Sequence, residues 1–198
     1  MAVRSALVLM VLLTGAAAAE PAFMDWVDAA PGRRAEVVAF ERYLERARVD
    51  GVLTTDLLLR NATSWKTCGL GFPYSMPPRS LWPHVVMTIK FIRDDVIPAI
   101  GPVTVESGYR EPVLNKCAHG APQSAHALYY ALDLVPERDL SRRDLIATIC
   151  KLHARKGKAY NVGLGFYDGV RFHIDTKAYR RWGSDNHGKT SPCAAVTG

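Results

Sequence analysis

The chain has 198 residues, 48% of them hydrophobic, and its 25 Lys and Arg against 19 Asp and Glu give a formal net charge of +6 at pH 7. So large an apolar share excludes a disordered chain, and the length suits one domain with a sizeable core. The positive balance suits attraction to a polyanion, and equally a surface kept in solution by its charge.

Residues 1–19 read as a secretory signal. Arg4 supplies a positive start, 6–13 is an apolar run too short to span a bilayer, and Ala17, Ala18 and Ala19 offer a small-residue cleavage site. The mature chain then starts at Glu20, and the loss of Arg4 brings its net charge to +5. The expectation is an exported protein, periplasmic or secreted, folded as a single domain over 20–198, monomeric, with no membrane span. In that compartment a polyanionic partner is cell-wall polymer or anionic lipid, and nucleic acid is not expected.

Residues 34–49 place Val37, Val38, Phe40, Tyr43 and Leu44 at helical spacing, predicting an amphipathic helix. The Gly, Pro and Ser of 69–80 read as a loop. A second helix is predicted over 81–96, with Trp82, Val85, Val86, Ile89 and Ile92 inward and Lys90, Arg93 and Asp94 outward, stopped by Pro98 and Gly101-Pro102. A short strand follows at 103–107. The third helix spans 144–158 with Leu145, Ile146, Ile149 and Leu152 on one face; His153 on it reads as structural, because no second ligand-type residue sits at the right spacing. In GLGFYDGVRFHID, Asp168-Gly169 predicts a two-residue hairpin turn, and strand alternation then puts Arg171, His173 and Asp175 on one face.

Cys68, Cys117, Cys150 and Cys193 are an even set in a chain read as exported, which favours disulfides. Three pairings are open, of which Cys68 with Cys117 and Cys150 with Cys193 would brace the two sides of the motif region. No pair is spaced as CxxC, so a cysteine metal site is disfavoured.

His126, Asp133 and His173 make a two-imidazole, one-carboxylate set that suits zinc and leaves a fourth position for water, the composition of a hydrolytic site. Seven residues of helix rise about 10 Å, and of strand about 23 Å, whereas two ligand atoms lie about 2 Å from one metal. The chain must therefore turn between His126 and Asp133, with Asp133 opening a strand over 131–135.

The motifs SGYR at 107–110, Asn115, Gly120-Ala121, Ser124-Ala125-His126, Ala131-Leu132-Asp133, GLGFY, His173-Ile174-Asp175-Thr176 and Arg181-Trp182 occur in one order. The pattern, over 81–182, resembles the zinc D-alanyl-D-alanine carboxypeptidase family, related in fold to lysostaphin-type endopeptidases and the sonic hedgehog signalling domain. The resemblance implies an α+β fold, a small mixed or antiparallel sheet with flanking helices. It implies one zinc per chain held by His126, Asp133 and His173, and hydrolysis of peptide bonds in peptidoglycan stem peptides. It places Arg110 against the substrate as an oxyanion or carboxylate partner, the alternative being an ion pair with Glu106 or Glu111. Ser124 either binds substrate or caps its loop, Arg171 faces the same cleft, and Asp175 orients a histidine or takes part in catalysis.

The chain departs from that family in two places. Arg171 and Val170 stand where some members carry a histidine or glutamate acid/base, so the general base is open among Asp175, Asp168 and His119. Tyr129 stands where the family has glycine for a turn. Beside a zinc peptidase of carboxypeptidase or endopeptidase type, two readings follow: a non-catalytic zinc-containing module that binds cell-wall peptide, and a disulfide-stabilised domain in which His126, Asp133 and His173 only hydrogen-bond.

Overall fold

The computed structural model describes residues 21–197; the stretch read as a signal, 1–19, lies outside the described residues. The chain opens with α1 (Pro21–Asp28) and α2 (Arg33–Ala47). Helix α2 buries Val37, Phe40 and Leu44. Val38, expected inward, is exposed, because successive helical residues point about 100° apart and Val37 holds the inward direction. After the single turn α3 (Thr55–Leu58) the chain loops to a long helical run.

That run starts at α4 (Trp82–Phe91), with Pro83 in its first turn, and buries Trp82, Val85, Val86 and Ile89 as the apolar spacing requires. It does not stop at Pro98. A π-helical turn (Ile92–Val96) leads into α5 (Ile97–Ile100), which takes Pro98 in its own first turn. The missing N–H of proline costs nothing there, and the helix ends instead at Gly101, whose φ of 82° suits glycine.

Five strands form one mixed sheet: β1 (Val103–Ser107), β2 (Ala131–Pro136), β3 (Gly163–Phe166), β4 (Phe172–Asp175) and β5 (Arg180–Trp182), in the order β1-β2-β4-β3-β5. All neighbours are antiparallel except β3 and β5, which are parallel. Two kinds of row cross the sheet. Leu132, Ile174 and Leu164 are register partners, as are Leu134, Phe172 and Phe166, and all six are buried. Helix α4 packs against β2 and β4, and each buried Leu, Ile or Phe contributes about 1.5–3 kcal/mol. The alternate rows, Asp133 with His173 and Gly165, and Ala131 with Asp175 and Gly163, point to the opposite face. That face carries the polar site.

Between β1 and β2 lie α6 (Pro112–Cys117) and a tight turn; between β2 and β3 lies α7 (Arg142–Leu152), capped by Ser141 Oγ accepting from the Asp144 amide at 3.1 Å. A second π-helical turn (His153–Gly157) extends α7 and buries His153, whose Nε2 donates to the Val162 carbonyl at 2.9 Å while its ring stacks on Tyr179. The β3–β4 hairpin is wider than two residues. Its loop closes where the Tyr167 amide donates to the Arg171 carbonyl, and only Gly169 within it has positive φ. A two-residue type I′ turn needs positive φ at both central positions, and Asp168 does not adopt it.

Disulfides join Cys68 to Cys117 and Cys150 to Cys193, so the second ties the last helix, α8 (Ala194–Thr197), to α7. Among the described residues no helix is long and apolar enough to cross a membrane.

Candidate metal centre and cleft

Asp133 and His173 project side by side because β2 and β4 pair them directly. His126 reaches them from the turn before β2. There the Tyr129 amide bonds the His126 carbonyl and the Tyr130 amide bonds the Ala125 carbonyl. Tyr129 takes the left-handed conformation, φ 57°, at the position where a glycine was expected. Its ring is fully buried and its hydroxyl donates to the Leu58 carbonyl at 3.0 Å, which holds the residue in a conformation costing an L side chain about 1–2 kcal/mol.

Three atoms converge: His126 Nε2 lies 3.1 Å from Asp133 Oδ1 and 3.1 Å from His173 Nδ1, and His173 Nδ1 lies 3.0 Å from Asp133 Oδ1. The outer ring nitrogens fix the protons. His126 Nδ1 faces the Gly108 carbonyl at 2.8 Å, and His173 Nε2 faces Asp175 Oδ2 at 2.8 Å. Both partners only accept, so both rings donate outward and turn a lone pair inward, the arrangement that metal-binding histidines use. Tetrahedral coordination with bonds of about 2.0–2.1 Å spaces ligand atoms about 3.3 Å apart. The buried His126–Asp133–His173 group therefore fits one metal ion.

Burial, with Arg110 adding to it, holds the His126 imidazole down at about 4, so it stays neutral. Burial would raise Asp133, yet the two imidazoles outweigh it and keep the carboxyl well below its usual range. His173 differs: burial opposes its charge, but the hydrogen bonds to Asp133 and Asp175 leave its pKa raised, which favours a second proton, on the inward Nδ1, that a bound ion would displace. Asp133 has two further donors: Arg110 Nη2 at 3.0 Å on Oδ2 and the Tyr167 hydroxyl at 3.1 Å on Oδ1.

Arg110 pairs with neither Glu106 nor Glu111. Its side chain is 14% exposed, with Nε donating to Ser107 Oγ at 3.0 Å and Nη2 to Asp133. The β1–β2 register shifts between Val105 and Ser107, and this irregularity brings Ser107 opposite Asp133. Asp175 is fully buried: Oδ2 takes His173 and Arg180, and Oδ1 takes the Lys177 amide and Arg180. That is the placement of a group that orients His173. Glycine at 163 and 165 follows from the same face, since a Cβ at Gly163 would strike Asp175 and one at Gly165 the ring of Trp182.

A cleft of about 750 Å³ opens over the centre, lined by His126, His173, Arg110, Tyr167, Trp182 and the 118–125 loop. Ser124 lines it too, while its Oγ accepts from the His126 amide at 3.2 Å. His119 is exposed at its edge, and Asp168 is exposed on the hairpin. Arg171 lies in the adjoining cavity, its guanidinium 4.0 Å over the Tyr167 ring. Sequence reasoning gave no role to Ser107, Tyr167, Arg180 and Trp182. The first, second and fourth lie inside quoted motifs; Arg180 carried no signal, because its meeting with Asp175 depends on the parallel β3–β5 pairing.

No curated protein and no solved structure matches the chain. The family described as peptidase M15 matches residues 76–175, just over half of it. That span contains Arg110, all of β1 to β4 and the converging His126, Asp133 and His173, so the chain belongs to the peptidase M15 family, the zinc D-Ala-D-Ala carboxypeptidase-like group its motifs resemble.

Proposed function

We propose that the protein is an exported zinc peptidase that hydrolyses peptide bonds in peptidoglycan stem peptides, of D-Ala-D-Ala carboxypeptidase or endopeptidase type. The observation that carries this reading is the convergence of His126 Nε2, Asp133 Oδ1 and His173 Nδ1 at the floor of an open cleft. These three atoms would hold the ion, which when bound supplies a water of lowered pKa and a Lewis acid for the scissile carbonyl. The remaining work falls to the chain. Arg110 is fixed by Ser107 and Asp133 while its Nη1, which makes no hydrogen bond among the described residues, is left to meet the developing oxyanion. Asp175 and the Gly108 carbonyl keep both imidazole protons outside the centre. Tyr167 and Trp182 wall the cleft, with ring centroids 5.2 Å apart. His119, exposed at the cleft edge, is the side chain proposed to carry a proton to the leaving amine. Two disulfides and no free cysteine support export.

One observation favours a second reading. Among the described residues no Asp or Glu lines the cleft or the adjoining cavity, so none there offers a carboxylate general base. A module that binds zinc and cell-wall peptide without cutting would look the same. Elemental analysis of the chain from Glu20, beside His173→Ala, followed by incubation of both with purified peptidoglycan, separates the readings. About one zinc per chain, lost in the variant together with release of D-alanine or cut stem peptides, is the expected result. Zinc without products supports the binding module, and absence of zinc refutes both.

A further inference from the structure

Beyond the cavity that adjoins the cleft lies a third, of about 360 Å³. Ala62 and Thr63 line both, and Arg110, Ala118, His119 and Tyr167 carry the lining on into the cleft, so the three are contiguous from the metal centre outward. Trp65, Pro73 and Tyr74 give the third cavity an apolar wall, and Arg60, Glu106 and Thr63 supply its polar groups.

The frame is held by hydrogen bonds. Arg60 and Tyr74 form an antiparallel bridge, the Asn61 amide donates to the Pro73 carbonyl at 2.9 Å, and the buried Asn61 Nδ2 donates to Ser75 Oγ at 3.1 Å. The Cys68–Cys117 disulfide ties down the end of the 62–68 stretch. Trp65 stands on this frame without serving the fold: it is half-buried, it is not packed on the hydrophobic core, and its indole N–H has no acceptor among the described residues. Trp82, by contrast, is buried in the core and donates to the Pro77 carbonyl at 3.0 Å. Lys66 Nζ sits 5.1 Å from the centroid of the Trp65 ring but takes no part in the cavity lining, so the ring surface within the cavity is left to a ligand. An open aromatic face beside groups that both donate and accept matches a molecule with a C–H face and a hydroxyl edge. One cation and one carboxylate in the same lining match an uncharged one. A pyranose has both properties.

We infer that the cavity around Trp65 is a sugar subsite for the N-acetylated glycan that carries the stem peptide, with the pyranose C–H face on the indole and its hydroxyl and acetamido groups toward Glu106, Arg60 and Thr63. The inference rests on the peptidase reading and adds the glycan to the substrate. The muramyl carboxyl is consumed in the amide to the stem, so the disaccharide is uncharged. Four stem residues span at most about 14 Å when extended, and the middle cavity is their path from the sugar to the centre.

The test compares two substrates, the free stem pentapeptide and the same peptide linked to its N-acetylglucosaminyl-N-acetylmuramyl disaccharide. The ratio of their kcat/KM values is measured for the zinc-loaded protein, Trp65→Ala and Trp65→Phe, and the peptide-free disaccharide is titrated by NMR into the metal-free proteins. Each ratio comes from one preparation, so a folding defect cancels. The wild type should prefer the linked substrate about 5- to 50-fold, the effect of one ring contact and one or two hydrogen bonds made far from the reacting bond. Trp65→Ala should bring the ratio close to 1 and abolish disaccharide binding, and Trp65→Phe, which keeps a ring, should retain most of both. A wild-type ratio near 1, or one that Trp65→Ala leaves unchanged, overturns the sugar subsite while the cutting itself keeps the peptidase. A Trp65-dependent preference for a sugar-free cross-linked peptide overturns the subsite too, since its occupant is then peptide. Disaccharide binding that depends on Trp65, without any cutting, keeps the subsite and sinks the peptidase; absence of both sinks both.

Discussion

Asp133 and His173 are register partners on adjacent central strands, and Asp133 Oδ1 meets His173 Nδ1 at 3.0 Å. Two of the three converging groups are thus set by backbone pairing, and only His126 arrives from a turn. His126→Ala, Asp133→Ala and His173→Ala should each abolish stoichiometric zinc binding. Asp175→Asn, which touches His173 from behind, should keep the zinc but weaken it about 10- to 100-fold in a competitive chelator titration.

Arg110→Ala should separate binding of the ion from its use. The guanidinium is a cation beside the centre, so its loss removes a repulsion and zinc content should hold in elemental analysis. Turnover of stem peptide should fall about 100- to 1,000-fold, the usual cost of one oxyanion donor.

Tyr129 joins a buried ring to a left-handed backbone. Tyr129→Phe leaves the Leu58 carbonyl without its donor and should cost about 1–2 kcal/mol in urea unfolding. Tyr129→Ala also empties the ring's volume and should cost about 3–5 kcal/mol.

His153 should make stability depend on pH. Burial, joined by the charge of Arg181, holds its pKa below the ordinary value, although the Val162 carbonyl opposes this. Below about 6.5 the unfolded chain takes up a proton that the folded chain refuses, so this stability is complete above that pH and drains away as pH falls. The gap in thermal midpoint between the wild type and His153→Phe should be widest near pH 8 and narrow toward pH 5.

The two disulfides should differ in what they protect. Cys150→Ala with Cys193→Ala releases α8 from α7 and should cost about 2–4 kcal/mol while peptide affinity is kept. Cys68→Ala with Cys117→Ala loosens the lining of the cavity that adjoins the cleft and should raise KM for peptide as well.

Strand β1 and the start of β2 were legible because their signals are local, an apolar run between turn residues. The long helix was legible on its buried face and in its stop at Gly101-Pro102, but not at Pro98, which reads as a stop too; the π-helical turn before it explains how the chain passes through. Asp168-Gly169 misled for a related reason, since the dipeptide permits a tight turn without requiring one. In the site, His126, Asp133 and His173 stood out by residue type and spacing. The tautomers could not be read, because they are set by the Gly108 carbonyl and by Asp175, and the anchoring of Asp133 by Tyr167 depends on where the hairpin folds back. Such contacts join residues far apart in sequence and leave no periodic trace.

Because Asp133, His173 and Asp175 stand on paired strands while His126, Arg110 and His119 stand on connecting segments, the sheet fixes one part of the site and the loops carry the rest. Exchange of the 62–68 stretch or of the hairpin tip would leave the strand pairing that sets Asp133 beside His173 in place. An engineer would leave the strands alone and diversify the loops.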